Sequence, residues 1–308
     1  MKQWAQFWAL AMIWGSSFLL IKVAVDEVGA FPLVTVRLGV AAIIFLVYMM
    51  ATGRKFPSAR KDQLALLFVG IFNTAVPFFL ISWGETQIDS GLATVLNSTV
   101  PLSTLIIAHF ALADEKLNRA KITGLAVGFL GVFVLTSRSI GESSGSLLGQ
   151  GAVLLGSASY AVAVNVLRLR LRHMDQYAVA GWSVVIGAVA IVAMTLLTVH
   201  PLPDPADISA VAILAMLTLG VVNTVVAYFL FYRLIREWGV RASLVTYAMP
   251  PIGVTLGFVV LGEDIDWRLI VGAGLILCGI VVAKTQKPLT LLLPVRTRLA
   301  GLLGLGRS

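Results

Sequence analysis

The sequence contains few of the residues from which enzymes build active sites and metal centres. Among 308 residues there are one cysteine and three histidines, and only 12% of the residues are charged. The single cysteine, Cys278, excludes an intrachain disulfide, and we expect its thiol to pack as a small apolar group. The histidines stand far apart, and no glycine-rich nucleotide loop occurs. The sequence therefore indicates neither an enzyme nor a bound metal or cofactor.

The small number of charged residues also indicates which medium surrounds the protein. Hydrophobic residues make up 58% of the chain and its mean hydropathy is +0.94, which is more apolar surface than one soluble core of this length would hide. A membrane-spanning helix needs about 20 mostly apolar residues. We predict an all-α integral membrane protein with ten such helices, at 6–25, 30–51, 62–83, 87–111, 118–137, 147–168, 176–199, 208–232, 241–261 and 267–285.

Lysines and arginines are distributed unevenly between the connections. If the predicted helices alternate in direction, 19 of the 23 basic residues lie on the side of the two termini, three lie on the other side, and Arg37 falls within the second helix. The positive-inside rule then places both termini in the cytoplasm and the chain in a cell membrane, as in a bacterial inner membrane. The net charge of +8 is explained by this orientation, so no nucleic-acid partner is predicted.

An internal repeat is visible in the third and eighth predicted helices. The segments GIFNTAVPFFL at 70–80 and GVVNTVVAYFL at 220–230 are identical at six of eleven positions, including the pair Asn-Thr. A second match joins 114–132 to 262–280. Five helices written twice form two units of opposite orientation, which is a common transporter architecture. We predict repeats at 1–140 and 141–286, followed by a basic tail at 287–308.

Four segments together resemble the EamA-type branch of the drug/metabolite transporter superfamily. They are LAMIWGSSFLLIKVAV, FPLVTVRLGVAAII, ADEKLNRAKITGLAVGFLGVFVL and PPIGVTLGFVVLGEDIDWRLIVGAGLILCGIVV. The resemblance extends to about residue 285 and implies ten helices, a central cavity, and export or exchange of amino acids, metabolites or drugs. One departure is ADE at 113–115, where the second repeat and the family pattern have Gly before Glu.

Polar and aromatic residues deep in the helices are the candidate site. Asn73 and Asn223 either line the cavity or bond neighbouring helices, because an unpaired amide is costly in hydrocarbon. Asn97 and Tyr247 lie beside prolines and either line the cavity or accompany plain kinks. Aromatic side chains at this depth either fill the core or form flat walls for a substrate. We predict as substrate-binding residues Trp14, Ser17, Asn73, Asn97, Tyr160, Asn223, Tyr228 and Tyr247, with hinges at Pro77, Pro101, Pro250 and Pro251.

Charged groups near the helix ends have two interpretations. Arg37 either extends to the outer surface or pairs with Glu85, or it anchors a substrate carboxylate. No Asp or Glu lies mid-span, which disfavours proton-coupled export of cations. Glu115 and Glu263 precede the fifth and tenth helices, where the helix dipole favours a negative charge.

Glycines and the tail complete the pattern. Gly124, Gly128 and Gly131 in the fifth helix, and Gly272, Gly274 and Gly279 in the tenth, indicate packing surfaces between the repeats or in a dimer. The tail mixes leucines with arginines, as in a helix lying on the inner leaflet, although a disordered end has the same composition.

These observations predict a transporter of small neutral or zwitterionic metabolites that works by alternating access as an exporter or exchanger. Its partners would be a small-molecule substrate and the bilayer, and it would be a monomer or homodimer. A lipid flippase or scramblase with a lateral groove is the alternative.

Overall fold

The computed structural model describes residues 2–112, 115–137 and 146–285, and the regular elements within those ranges are helices. Nine of the described helices are long and apolar enough to cross a membrane, and α9 is a shorter apolar helix. The helices are α1 (Lys2–Val28), α2 (Ala30–Thr52), α3 (Arg60–Glu85), α4 (Ser90–Ala111), α5 (Arg119–Thr136), α6 (Leu147–Leu171), α7 (Gln176–Thr198), α8 (Ala210–Trp238), α9 (Val245–Leu261) and α10 (Trp267–Thr285). The predicted tail at 287–308 lies outside the described residues.

Local sequence explains where these helices begin. Side chains of Asn118, Asp175 and Ser209 accept hydrogen bonds from backbone N–H groups in the first turns of α5, α7 and α8. Between α1 and α2 the chain reverses at Gly29, whose φ of 77° is a conformation that favours glycine.

Contacts between the connections divide the described loops into two groups. Near the start of α1, Trp4 packs on Trp238 at the end of α8 with ring centroids 4.9 Å apart. The Arg54 guanidinium binds the Asp175 carboxylate at 2.8 Å in the same region, which we name the N-terminal face. At the other ends of the helices, the Glu27 carboxylate accepts a hydrogen bond from the Ser209 hydroxyl at 2.7 Å. We name that end the opposite face.

The Gly-Asn-Thr segments of α3 and α8 both contain a π-helical turn, at Ile71–Ala75 and Val221–Val226. Both glycines are sites of close helix approach: a Cβ at Gly70 would lie 2.7 Å from Ile186 of α7, and a Cβ at Gly220 would lie 2.9 Å from the Arg37 carbonyl of α2. Side chains larger than hydrogen would therefore push these helices apart.

Glycines also bring α5 and α10 together within the chain. A Cβ at Gly131 would lie 2.7 Å from the Gly272 carbonyl oxygen, and Gly124 approaches Gly279 in the same way. Gly274 is different, because nothing lies within 4 Å of a Cβ built there. Gly274 therefore does not belong to the packing surface between the repeats, and its place in a dimer surface stays a prediction.

The Glu263 carboxylate lies at the N-terminus of α4, whereas the sequence interpretation placed it at the N-terminus of the tenth helix. Its carboxylate accepts hydrogen bonds from the backbone N–H groups of Ser90 (2.7 Å) and Gly91 (2.8 Å), so it caps α4. The first turn of α10 is capped instead by Asp266, which accepts from the Leu269 N–H at 2.8 Å. Glu263 thus joins the connection before α10 to the start of α4.

Candidate functional site: a central cavity

A cavity of about 570 Å³ lies between α1–α4 and α6–α9, and α5 and α10 contribute none of its lining. Its volume falls within the range of roughly 300–1,000 Å³ typical of small-molecule sites. At the opposite face the cavity ends among buried side chains of Phe18, Ile21 and Ile81. Towards the N-terminal face it reaches Arg172 and Gln176, which are exposed. The cavity is therefore open towards the N-terminal face and closed at the other end.

Most of the predicted site residues line this cavity. The structure brings together there Trp14, Ser17, Arg37, Asn73, Asn97, Pro101, Tyr160, Asn223 and Tyr228. The lining does not include Tyr247, Pro77, Pro250 or Pro251. The predicted residues in the lining come from four helices of the first half, α1 to α4, and two of the second, α6 and α8.

Tyr247 is placed on the wrong side of α9 by the sequence interpretation. The Lys284 ammonium lies 5.3 Å from the centre of the Tyr247 ring, so this side chain faces α10. Its neighbour Thr246 lines the cavity instead. The sequence interpretation chose Tyr247 because it precedes Pro250 and Pro251. Because a helix turns about 100° per residue, that position does not decide which face the side chain occupies.

Asn73 and Asn223 have different surroundings although they share a motif. The Asn223 amide is buried and donates to the Ile13 carbonyl and, at 3.0 Å, to the Ser17 hydroxyl, joining α8 to α1. Asn73 is half-buried and lines the cavity. Among the described residues no hydrogen bond to the Asn73 amide is present.

Arg37 lies in the interior of the bundle. Its side chain is only 6% exposed, its Nε donates to the Thr224 hydroxyl at 3.2 Å, and its guanidinium stacks 3.9 Å from the centre of the Phe78 ring. It does not extend to the outer surface, and no Asp or Glu among the described residues forms an ion pair with it within 4.0 Å. Within the ranges that the structure describes, the cavity therefore contains a cation without a carboxylate partner.

Aromatic rings form much of the remaining wall. The Trp14 and Phe231 rings are 5.0 Å apart, and Tyr160, Tyr228 and Tyr232 also contribute. Phe78 and Tyr228 occupy the same position in the repeated segment, yet the sequence interpretation included only the tyrosine. The alignment of the repeats was the signal that could have identified Phe78.

The mouth of the cavity is basic. Arg168 and Arg172 line it, and sequence reasoning did not select either because both lie at the end of an apolar stretch. Arg168 binds the Glu115 carboxylate at 3.2 Å, and Lys121 binds it at 3.1 Å. These hydrogen bonds, that of Lys121 first, hold the pKa of Glu115 below its ordinary value despite partial burial. Among the described lining residues there is no Asp or Glu, so the cavity favours negative over positive solutes.

The predicted hinges fall at interruptions of two helices and inside a third. Pro77 follows the π turn of α3, and Pro101 follows a turn at Ser98 and Thr99 that interrupts α4. Pro250 and Pro251 lie inside regular helix in α9. Their function as hinges stays a prediction.

Comparison with known proteins identifies the class. The EamA-like transporter family matches the chain twice, over residues 3–137 and 147–285. The chain belongs to this family, which confirms the resemblance noted from the sequence, and it is a multi-pass membrane transporter.

Individual relatives share nearly the whole length. The uncharacterized inner membrane transporter YedA of Escherichia coli (strain K12) is 29% identical over 283 residues, covering 91% of this chain and 89% of YedA. A probable terminal-alkyne amino-acid exporter of Streptantibioticus cattleyicolor is 25% identical over 286 residues, covering 91% of this chain and 93% of the exporter. This chain also resembles a protein of known crystal structure, with a TM-score of 0.64 and 18% sequence identity. The alignment covers 92% of this chain and 97% of the other, and it supports a similar fold only.

Proposed function

We propose that this protein is an alternating-access transporter of small zwitterionic or neutral metabolites, and that a substrate carboxylate binds Arg37 in the central cavity. Amino acids with apolar or aromatic side chains are the first candidates. The observation that carries the proposal is the buried Arg37 guanidinium, which lines the cavity and has no ion-pair partner in the described part of the chain. A planar guanidinium binds a carboxylate through two parallel hydrogen bonds, and in a site shielded from water such bonds are strong.

The rest of the cavity fits the same class of solute. A substrate ammonium would find only neutral acceptors such as the Asn73 and Asn97 carbonyl oxygens, because no acidic side chain lines the described cavity. Trp14, Phe231 and Tyr160 offer apolar walls to a side chain. Multivalent cations would be repelled by the Arg37 charge, because no carboxylate in the described lining offsets it. The amino-acid exporter among the relatives supports this choice of candidates.

Two inverted five-helix repeats would supply the transport mechanism. The two family matches, the π turns at equivalent positions of α3 and α8, and the reciprocal contacts of Gly70 with α7 and Gly220 with α2 support this arrangement. In such a repeat the open mouth between α6, α7 and α8 corresponds to a closed region between α1, α2 and α3. Opening there and closing at the mouth would reverse the access of the cavity.

The excess of basic residues on the connections of the N-terminal face supports a cytoplasmic location for that face. The structure would then represent an inward-open state, ready to take a solute from the cytoplasm. Export or exchange is the direction that we propose. The prolines at 77, 101, 250 and 251 would allow the helices to bend between the two states.

Exchange of radiolabelled amino acids in proteoliposomes tests the proposal. The purified protein is reconstituted with an internal panel of amino acids and related carboxylic acids, and uptake of each labelled compound is measured. We expect Arg37→Gln to reduce exchange about tenfold or more, because a hydrogen bond to a charged group contributes about 1.5–3 kcal/mol. Arg37→Lys should recover part of the rate, since it keeps the charge but loses the two-pronged geometry.

Arg236→Gln is the matched control, because Arg236 is exposed at the end of α8 and does not line the cavity. Exchange by Arg37→Gln at the wild-type rate for every compound would contradict the carboxylate site. A fluorescent-lipid assay in the same vesicles separates the alternative: lipid scrambling without amino-acid exchange would favour a flippase.

A further inference from the structure

Glu85 is a buried carboxylic acid that does not line the central cavity. It ends α3, one helical turn beyond Ile81, and is therefore just outside the closed end of the cavity. Its side chain is 0% exposed, and neither carboxyl oxygen has a hydrogen-bond partner in the described part of the protein. This is an unusual state for a group that is normally ionised.

The charges around Glu85 do not neutralise it. Lys22 of α1 uses its ammonium to bind the backbone carbonyl of Glu85 at 2.7 Å and to pair with Asp26 at 3.8 Å. Arg37 of α2 interacts with Glu85 only at a distance, and Glu263, before α10, adds a second negative charge. Neither α4 nor α6 has a titratable side chain at this end, although Asp89 precedes α4.

Burial without hydrogen bonds favours the neutral form of a carboxylic acid, since moving an unpaired carboxylate out of water is costly. Opening of the cavity at the opposite face would bring water to α1 and α3 at the level of Glu85. In water the ionised form is favoured at neutral pH. The same residue would therefore hold a proton in one state and release it in the other.

We propose that Glu85 is a proton-binding site of the gate at the opposite face: it carries a proton while that end of the cavity is closed and releases it to water on that side when the end opens. The proposal rests on the alternating-access mechanism proposed above. Because Glu85 does not line the cavity that reaches the N-terminal face, the proton leaves and returns on one side. The site thus links the direction of access to the pH of the opposite side without moving protons across the membrane.

The sign of the effect follows from linkage. The open state binds fewer protons at Glu85 than the closed state, so raising the pH favours opening. For one group, the ratio of open to closed protein changes by up to about tenfold per pH unit. Replacement by an uncharged side chain of the same shape removes this dependence and leaves the closed form favoured.

Thiol labelling measures this equilibrium directly. In a Cys278→Ser background, Ser82→Cys provides a thiol at a position that is 0% exposed next to the closed end of the cavity. Its labelling rate by a membrane-impermeant reagent is divided by that of Leu202→Cys, which is 49% exposed on the same face, so that the pH dependence of the reagent cancels. The ratio is followed from about pH 5 to about pH 9.

We expect the normalised rate to increase at least about tenfold over this range with Glu85 present. It should stay low and flat with Glu85→Gln, while Asp207→Asn, an exposed acid on the same face, behaves like the parent. If the normalised labelling rate of the parent protein does not change with pH, the proton-site proposal is contradicted, and no Glu85 variant is needed to show it. The proposal is also contradicted if the rate increases with pH as much in Glu85→Gln as in the parent.

Addition of a transported amino acid separates the two proposals. If the amino acid increases labelling of Ser82→Cys but pH does not, alternating access stands and the proton site fails. If neither has any effect, both fail. An infrared carboxylic-acid band that is present in the closed form and lost in Glu85→Gln gives independent support, and a parent spectrum identical to that of the variant contradicts the proposal.

Discussion

Buried amides and hydroxyls of this protein must find partners within the bundle, because the surrounding hydrocarbon offers none. Asn73 and Asn223 show the consequence. Both residues line the cavity, but the Asn73 amide has no hydrogen-bond partner among the described residues, whereas the Asn223 amide joins α8 to α1 through Ile13 and Ser17. The same residue in equivalent segments is therefore expected to affect transport in one case and stability in the other.

Asn223→Ala should lower the thermal stability of the detergent-solubilised protein more than Asn73→Ala does. Each interhelical hydrogen bond in a membrane protein contributes about 0.6–1.7 kcal/mol, and Asn223 makes more than one. Asn73→Ala should instead leave the melting temperature close to that of the parent and reduce amino-acid exchange. Equal melting temperatures for the two variants would show that the amide partners of Asn223 carry little energy.

Acid should weaken the ion-pair cluster at the mouth of the cavity. The pKa of Glu115 is lowered by its bonds to Lys121 and Arg168, so its stabilising contribution is fully present above its unfolded pKa of about 4.3 and is lost as the pH falls through the lower folded value. We expect Glu115→Gln to lower the melting temperature at pH 7 and to have a smaller effect at pH 3, as measured by thermal melts in detergent. A difference that is the same at both pH values would contradict this assignment. Asp207→Asn, which removes the same charge at an exposed position on the opposite face, controls for the change in net charge.

At the level of helices, the pair α5 and α10 depends on contact between backbones. A Cβ atom built at Gly131 would lie 2.7 Å from the Gly272 carbonyl oxygen. A Cβ atom built at Gly274 has no neighbour within 4 Å. Adding one methyl group to a tightly packed position costs about 1–3 kcal/mol. We therefore expect Gly131→Ala to lower the melting temperature clearly.

Gly274→Ala is the matched control for this variant. It adds the same atom to the same helix pair but meets no neighbour within 4 Å, so it should be neutral or slightly stabilising through its better helix propensity. Similar losses of stability in both variants would show that the close approach is not responsible.

Hydropathy was sufficient to locate the helices. The seventh was predicted at 176–199 and is observed at Gln176–Thr198, because long apolar stretches in a membrane have no alternative to helix. The eighth was predicted to end at 232 but continues to Trp238, since polar residues such as Arg233 and Glu237 extend a helix into the interface as an i,i+4 pair. Helix ends depend on such local pairs, which hydropathy does not register.

Details that depend on packing between helices were harder to predict from the sequence. The π turns of α3 and α8 directly follow glycines that approach α7 and α2 closely, and nothing in their hydropathy distinguishes them from ordinary helix. Asn73 was selected from the repeated Asn-Thr pair and its depth, and Asn97 from its place before Pro101; both line the cavity. Tyr247 was selected from its place before Pro250 and Pro251, which does not decide which side of the helix it faces, and it does not line the cavity.

For the whole molecule, the asymmetry of the cavity is the main feature that relates structure to function. It reaches exposed Arg172 and Gln176 at one face and ends at Ile21 and Ile81 at the other. Ile21 belongs to α1 and Ile81 to α3, the helices that correspond in the proposed repeat to α6 and α8 at the open mouth. Transport then requires α1 and α3 to separate at this level.

A reversible cross-link across the closed end should therefore stop transport. Cysteines at Ile21 and Ile81, introduced in a Cys278→Ser background and joined by a short reducible bis-thiol reagent, would hold α1 and α3 together while leaving the N-terminal mouth open. We expect the joined protein to lose amino-acid exchange in proteoliposomes and to regain it after reduction, because a solute that enters from the mouth then has no exit on the other side. Each single-cysteine variant treated with the same reagent shows whether modification alone blocks the cavity. If the doubly modified protein exchanges at the rate of the unmodified one, the solute leaves by another route and the closed end between α1 and α3 is not the gate.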